Sequence, residues 1–218
     1  MIGLMQTEWL TLINQKKSGA LPPWTTVPVV LYEDTKEKVF DIIDTKYVGD
    51  PIVRSEGTGM ATYYNGDATQ TYTLRFIKCE EFFNQFLVVN PGSGKTEDWA
   101  RGMSRPDYIA YDLSAQRAYF VIHELSIGKI QNKRADAMKQ LMNMVRMIDG
   151  LVLSKRFCAS FRHRMCVVSA NGCPTASPLN MADGFMAAYN NLPDPLPLSN
   201  STIASRGFEA FQTNVVRL

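Results

Sequence analysis

Asp107 and Glu124 are the side chains of this sequence best placed to do chemistry. Asp107 opens the apolar run at residues 108–113, and Glu124 stands near the end of a second run at residues 117–125. Ser114-Ala115-Gln116 joins the two runs, which is hairpin spacing. Strand alternation sets Ile122, Glu124 and Ser126 on one face and Val121, His123 and Leu125 on the other. The unbroken run Tyr119-Phe120-Val121-Ile122 is the pattern of a central strand covered on both faces, so Glu124 lies near the end of a buried strand. A carboxylate there is costly unless it binds a cation or is hydrogen-bonded. Asp107, and Asp112 near the end of the first strand, are the acids closest in sequence that could share a cation with it. Two carboxylates meeting across a hairpin suit a hard ion, Mg2+ or Mn2+. Other readings of the same residues stay open: Glu124 paired with Lys129 or Arg134 or hydrogen-bonded to Ser126, and Asp107 closing an Asx-type turn. His123 and His163 read as packed or surface residues without a role.

The elements that must position these acids follow from periodicity. A helix is expected at residues 4–17, a short strand at 29–32, and an amphipathic helix at 35–47 with Val39, Ile42 and Ile43 inward. Residues 60–76 read as a β-hairpin around Asn65-Gly66-Asp67, and residues 79–86 as a helix. After the acidic hairpin, Ala135, Met138, Leu141, Met142, Val145 and Ile148 recur at helical spacing, giving a helix over about 132–148 that ends at Gly150. A strand at 164–168, a helix at 180–189, a proline-rich surface loop at 192–199 and a short helical or irregular piece at 208–211 complete the chain. These elements predict one α/β domain over residues 1–218. Residues 1–104 form N-terminal helices and a hairpin, 105–190 the core, and 191–218 a proline-rich tail.

Composition narrows the class. With 218 residues, 45% hydrophobic and 20% charged, the chain can bury a substantial core and is far from the signature of disorder. No stretch approaches the roughly 20 apolar residues of a membrane span, and no signal-peptide layout opens the sequence. Cys79, Cys158, Cys166 and Cys173 have neither Cys-x-x-Cys nor zinc-finger spacing, which points to reduced thiols in a cytoplasm-like compartment. The net charge is only +2, but it is unevenly distributed. Lys129, Lys133, Arg134, Lys139, Arg146, Lys155, Arg156, Arg162 and Arg164 face only Asp136 and Asp149 in the same stretch, an asymmetry suited to phosphates or to a solvated helix face. Asn90-Pro91-Gly92-Ser93-Gly94-Lys95-Thr96 imitates a phosphate loop, but Val89 stands where its first glycine belongs.

Pro106-Asp107, a hairpin, Glu124-Leu125-Ser126 and a helix bearing Gln140-Leu141 together resemble the core of the PD-(D/E)xK nuclease superfamily, over roughly residues 105–170. The resemblance implies a restriction-endonuclease-like core: a central mixed sheet of four to five strands flanked by helices, here with an N-terminal elaboration. It implies that Asp107 and Glu124 hold Mg2+ or Mn2+, that Glu80 or Glu81 supplies a third acid, and that the reaction is phosphodiester hydrolysis. The family's lysine is Ser126 here, and a hydroxyl supplies no positive charge. Lys129 or Lys133 would then stand in for it as a catalytic residue, with Lys133, Arg134, Lys139 and Arg146 gripping nucleic acid, DNA more than RNA. The alternative is a catalytically degenerate module on the same fold that binds nucleic acid or a protein partner. A homo-oligomer stays open, and so does a small-molecule enzyme using the same acids.

Overall fold

The structure, a computed structural model, describes residues 1–16, 23–45, 47, 49–89, 94–127, 130–171 and 195–218. The chain opens with α1 (Ile2–Leu4), passes through a wider π turn at Met5–Trp9 and continues as α2 (Leu10–Lys16). Then come β1 (Tyr32–Thr35), β2 (Val39–Ile42), β3 (Val53–Arg54), β4 (Ala61–Tyr64), β5 (Leu74–Lys78), α3 (Cys79–Asn84), β6 (Leu87–Val89) and β7 (Thr96–Asp98). The acidic hairpin is β8 (Tyr108–Asp112) and β9 (Tyr119–Ile127), followed by α4 (Ile130–Gly150), α5 (Val152–Ala159) and β10 (His163–Asn171). The last described stretch holds β11 (Leu196–Pro197), α6 (Ser201–Ala204), β12 (Glu209–Gln212) and β13 (Val215–Arg217).

The result is α/β, built on a large mixed sheet in the order β1-β5-β8-β9-β10-β12-β11. β9 is its centre, antiparallel to β8 and parallel to β10, so α4 and α5 form the crossover that a parallel pair requires. One face of the sheet carries Ile109, Phe120, Ile122, Cys166 and Val168 and packs on the helices through Trp9, Phe82, Leu141, Val145 and Cys158. The opposite face carries Phe76, Ala110, Val121, Leu125 and Val167 and packs on a second sheet, ordered β13-β4-β2-β3, through Phe40, Ile42, Tyr63 and Val216. The Glu8 carboxylate of the N-terminal helix accepts the Leu153 and Ser154 N–H groups at the start of α5, and Trp9 Nε1 donates to Ser154 Oγ at 3.0 Å. A negative charge at a helix N-terminus thereby ties the first element to the crossover.

The two sheets are joined by a buried polar chain. Tyr63 of β4 bonds His123 Nδ1 at 2.7 Å, His123 Nε2 bonds Ser169 Oγ at 2.8 Å, and Ser169 donates to the Thr213 carbonyl at 2.5 Å. Burial alone drives the His123 pKa down to about 3, so the ring is neutral. With Tyr63 donating to Nδ1, the proton sits on Nε2, and every polar atom in the chain is satisfied. His123 is thus packed, as its neighbours suggested.

Several elements differ from the sequence reading. The described residues from 35 to 45 do not form a helix: they close β1 and form β2, because Phe40 and Ile42, two apart, face the core as a strand requires, and pairing with β4 overrides the helical spacing of Val39, Ile42 and Ile43. The strand expected at 29–32 instead begins at Tyr32. Asn65-Gly66-Asp67 does turn the chain, with Gly66 at φ +87° and too close to the Gln70 carbonyl for any Cβ. It makes no hairpin, because β4 joins the second sheet and β5 the first. Residues 209–212 form β12, parallel to β10, where an irregular piece was expected, and Pro197 lies in edge strand β11. The main sheet therefore has seven strands, not four to five. Ala135 is exposed; Ala137, Leu141, Met144, Val145 and Ile148 form the inward stripe of α4. Thr96 lies in β7, paired with β6, so no helix follows the glycine loop as phosphate binding would need. The helix expected at 180–189 and Cys173 lie outside the described residues, and Cys79, Cys158 and Cys166 are free and buried. Among the described residues no helix is long and apolar enough to cross a membrane.

Candidate functional site

Asp107 and Glu124 meet because the β8–β9 ladder pairs Tyr108 with His123; one further step along that register sets Asp107 opposite Glu124. The Leu125 N–H donates to Asp107 Oδ2 at 2.5 Å and fixes that carboxylate over β9. On the other side of β8, the Cys79 N–H bonds the Asp107 carbonyl at 2.9 Å, so that the next residue, Glu80, emerges beside it in the first turn of α3. Glu80, Asp107 and Glu124 line one cavity of roughly 540 Å3 whose far wall is α4, through Lys139, Gln140 and Asn143. Gln140 Nε2 donates to Glu124 Oε1 at 2.9 Å, and Ser104 Oγ donates to the Gln140 carbonyl, which anchors the helix over the acids. Asp44, two residues beyond β2, lines a small adjoining recess with Glu80, Glu81 and Asp107, and so brings the second sheet to the site.

The electrostatics are those of carboxylates crowded together at the edge of water: Glu124 is buried, Asp107 half-buried and Glu80 exposed. Burial, followed by repulsion from Asp107 and Glu80, raises the Glu124 pKa to about 9. Burial likewise raises Asp107 to about 8; the Leu125 N–H opposes the rise, while Asp44 and Glu80 add to it. Glu80 is raised first by burial and then by Asp44 and Glu81, with Arg105 opposing. Arg105 is committed elsewhere, to Asp98 at 2.5 Å and to Asn84 at 3.0 Å. Among the described residues Glu124 Oε2 has no hydrogen-bond partner, nor does the buried hydroxyl of Ser126. The site therefore either holds protons near neutral pH or exchanges them for a cation, since both options remove like charge from a low-dielectric pocket.

The other expected site residues divide. Lys129 lies outside the described residues; Lys133 falls in the first turns of α4, but its side chain is likewise outside them. Lys139 lines the cavity, while Arg134 and Arg146 are exposed. Arg146 reaches Thr202 of α6 at 3.5 Å. Lys155 and Arg164 stand near the C-terminal end of α4, where Lys155 pairs with Asp149 at 2.8 Å and Arg164 lies over Phe208 at 5.7 Å, and the Arg162 N–H bonds the Arg117 carbonyl beside the β8–β9 turn. The 21-residue α4 spans about 30 Å, so the positive run does not converge on the acids. Asp112 has no part in the site: its carboxylate accepts Ser114 and Ala118 N–H and the Ser114 hydroxyl, shaping the β8–β9 turn. Asp44 escaped the sequence reading because its approach depends on how two sheets pack, for which the chain carries no local signal.

Whether a divalent ion fits can be judged from the donors. Among the described residues no three His, Cys, Asp or Glu side chains stand close enough to enclose an ion. Mg2+ asks for less: it keeps several waters and takes one or two carboxylates. Asp107 and Glu124, with one orphaned carboxylate oxygen between them, meet that requirement. No protein-family model matches the chain, and comparison with curated proteins and with solved structures yields no match either.

Proposed function

We propose that this protein is a divalent-metal-dependent, nuclease-like protein acting on phosphodiester bonds of nucleic acid, built on a restriction-endonuclease-like core. The observation that carries the reading is Glu124: Gln140 fixes one carboxylate oxygen, the other is buried without a partner, and Asp107 stands across the ladder. Asp107 and Glu124 would hold the ion, with Glu80 beside them. Once bound, Mg2+ or Mn2+ supplies Lewis acidity toward a phosphodiester and an acidified water. The chain's own work is to hold the carboxylates in place through Leu125 and Gln140, to keep water scarce around them, and to attract phosphate through Lys139 on the cavity wall, with Lys133, Arg134 and Arg146 along the same helix. Lys129 or Lys133 is the proposed source of the positive charge that Ser126 does not supply.

A second reading, a catalytically degenerate module that binds nucleic acid or a protein, is favoured by one observation. No cation among the described residues forms an ion pair with Asp107 or Glu124. Labelled single- and double-stranded DNA and RNA, incubated with the protein in Mg2+, Mn2+ or chelator, separate the two. Metal-dependent cleavage abolished by Glu124→Ala is the expected result. Salt-sensitive binding without cleavage, equal in wild type and variant, would replace the nuclease reading with the second one.

A further inference from the structure

The buried hydroxyl of Ser126 is unexplained by anything in the fold. It is only 5% exposed, and among the described residues its Oγ has no hydrogen-bond partner. Two residues earlier on β9, and therefore on the same face of the strand, Glu124 is 8% exposed with Oε2 equally unpartnered. Native interiors leave few polar atoms unpaired, and those they do leave commonly mark a water or an ion. Here the two orphans are complementary. One is a carboxylate oxygen, which only accepts when ionised; the other is a hydroxyl, which both donates and accepts. Positions i and i+2 of a strand lie about 6.6 Å apart along it, a separation that side chains of unequal length close around a single small ligand.

We infer that Ser126 belongs to the ion site and that its hydroxyl bonds a water carried by the divalent ion that Glu124 holds. This rests on the proposed metal reading. Ser126 is then a positioning residue: it touches neither the ion nor the acids, adds no charge, and fixes where a bound water points. Asp107 and Glu124 already bring two negative charges to a divalent ion, with Glu80 beside them, so a neutral hydrogen-bonding group serves the site without adding further like charge. It also accounts for a buried serine at the end of a strand whose neighbours on the same face, Ile122 and Phe120, are apolar.

The test is calorimetric titration of the full chain with Mn2+ for wild type, Ser126→Ala, Ser126→Thr and Glu124→Gln, with the melting point of each measured in chelator. Partners that hold bound water or ligands in place are worth about 10- to 100-fold in metal affinity, so Ser126→Ala is expected to weaken Mn2+ at least about tenfold. Ser126→Thr, which keeps the hydroxyl, should recover most of that loss. In chelator, Ser126→Ala should melt at or above the wild-type temperature, since it removes an unpaired polar group. Equal Mn2+ affinity in wild type and Ser126→Ala overturns the inference and leaves the metal reading standing. Wild type binding no better than Glu124→Gln overturns both. A lower chelator melting point for Ser126→Ala that threonine restores shows the hydroxyl to be structural and overturns the inference alone.

Discussion

His123 and Glu124 are neighbours on one strand, 0% and 8% exposed, and they point to opposite faces of the same sheet. The interior treats them differently. His123 has both ring nitrogens occupied, in a chain that ends on a backbone carbonyl, and no charged group contributes to its titration. Glu124 has one oxygen held and one bare, and three other carboxylates raise its pKa. Buried polarity that is fully paired adds specificity to a core; buried polarity left unpaired among like charges is costly, and such sites are where ligand chemistry is found. The contrast places the paired polar groups on the sheet-to-sheet side of β9 and the unpaired ones on its helix side.

The largest expected effect lies on the structural side. His123→Ala opens a cavity and strands the Tyr63 and Ser169 hydroxyls, which should cost about 4 kcal/mol in urea unfolding. A loss under about 1 kcal/mol would mean that the polar chain joining the two sheets contributes little.

Glu124→Gln should act in the opposite direction, and only above acidic pH. Both acids have folded-state pKa values raised above unfolded values of about 4, so the folded protein retains protons that the unfolded chain has released. The stability this contributes is fully present below about pH 4 and is lost as pH rises through about 8 and about 9. In chelator, wild type should therefore weaken steadily from pH 5 to pH 9. Glu124→Gln should be more stable than wild type by about 2 kcal/mol at pH 8 and by almost nothing at pH 4. A pH-independent difference would show that neither burial nor repulsion between the acids raises the Glu124 pKa.

Gln140→Ala is the smallest of the three and sharpens the functional side. It removes the hydrogen bond to Glu124 Oε1, at a cost of about 1 kcal/mol in stability and about tenfold in Mn2+ affinity. Calorimetry and urea unfolding on one preparation would separate the two effects.

The acidic hairpin was legible because its signals are local, two apolar runs joined by a short polar connection; the register that sets Asp107 rather than Asp112 beside Glu124 was not, since the strands are joined by residues 113–118 and not by three residues. Gln140 entered only through the family resemblance, not through the periodicity of its helix. The second sheet was not legible. Val39, Ile42 and Ile43 have helical spacing, the alternating pair Phe40 and Ile42 is too short a signal to outweigh it, and β2 is selected by pairing with β4 some 20 residues away. β12 is a four-residue strand whose partner β10 lies about 45 residues earlier, too far for any window of periodicity. Asp44 reaches the acids through that second sheet, so the same non-local packing hid it. The turn at Gly66 was read correctly as a turn, but its destination depends on which sheet each flanking strand joins.

The central claim is that Asp107 and Glu124 exchange protons for a divalent ion. It is tested most directly by the rise in melting temperature on adding Mn2+, measured from pH 5 to pH 9 for wild type and Glu124→Gln. Ligand binding to the folded state raises its stability, and fewer protons compete as pH climbs. The wild-type rise should therefore grow with pH, and that of Glu124→Gln should stay near zero. Equal shifts in the two proteins, or a wild-type shift that does not depend on pH, would contradict the account.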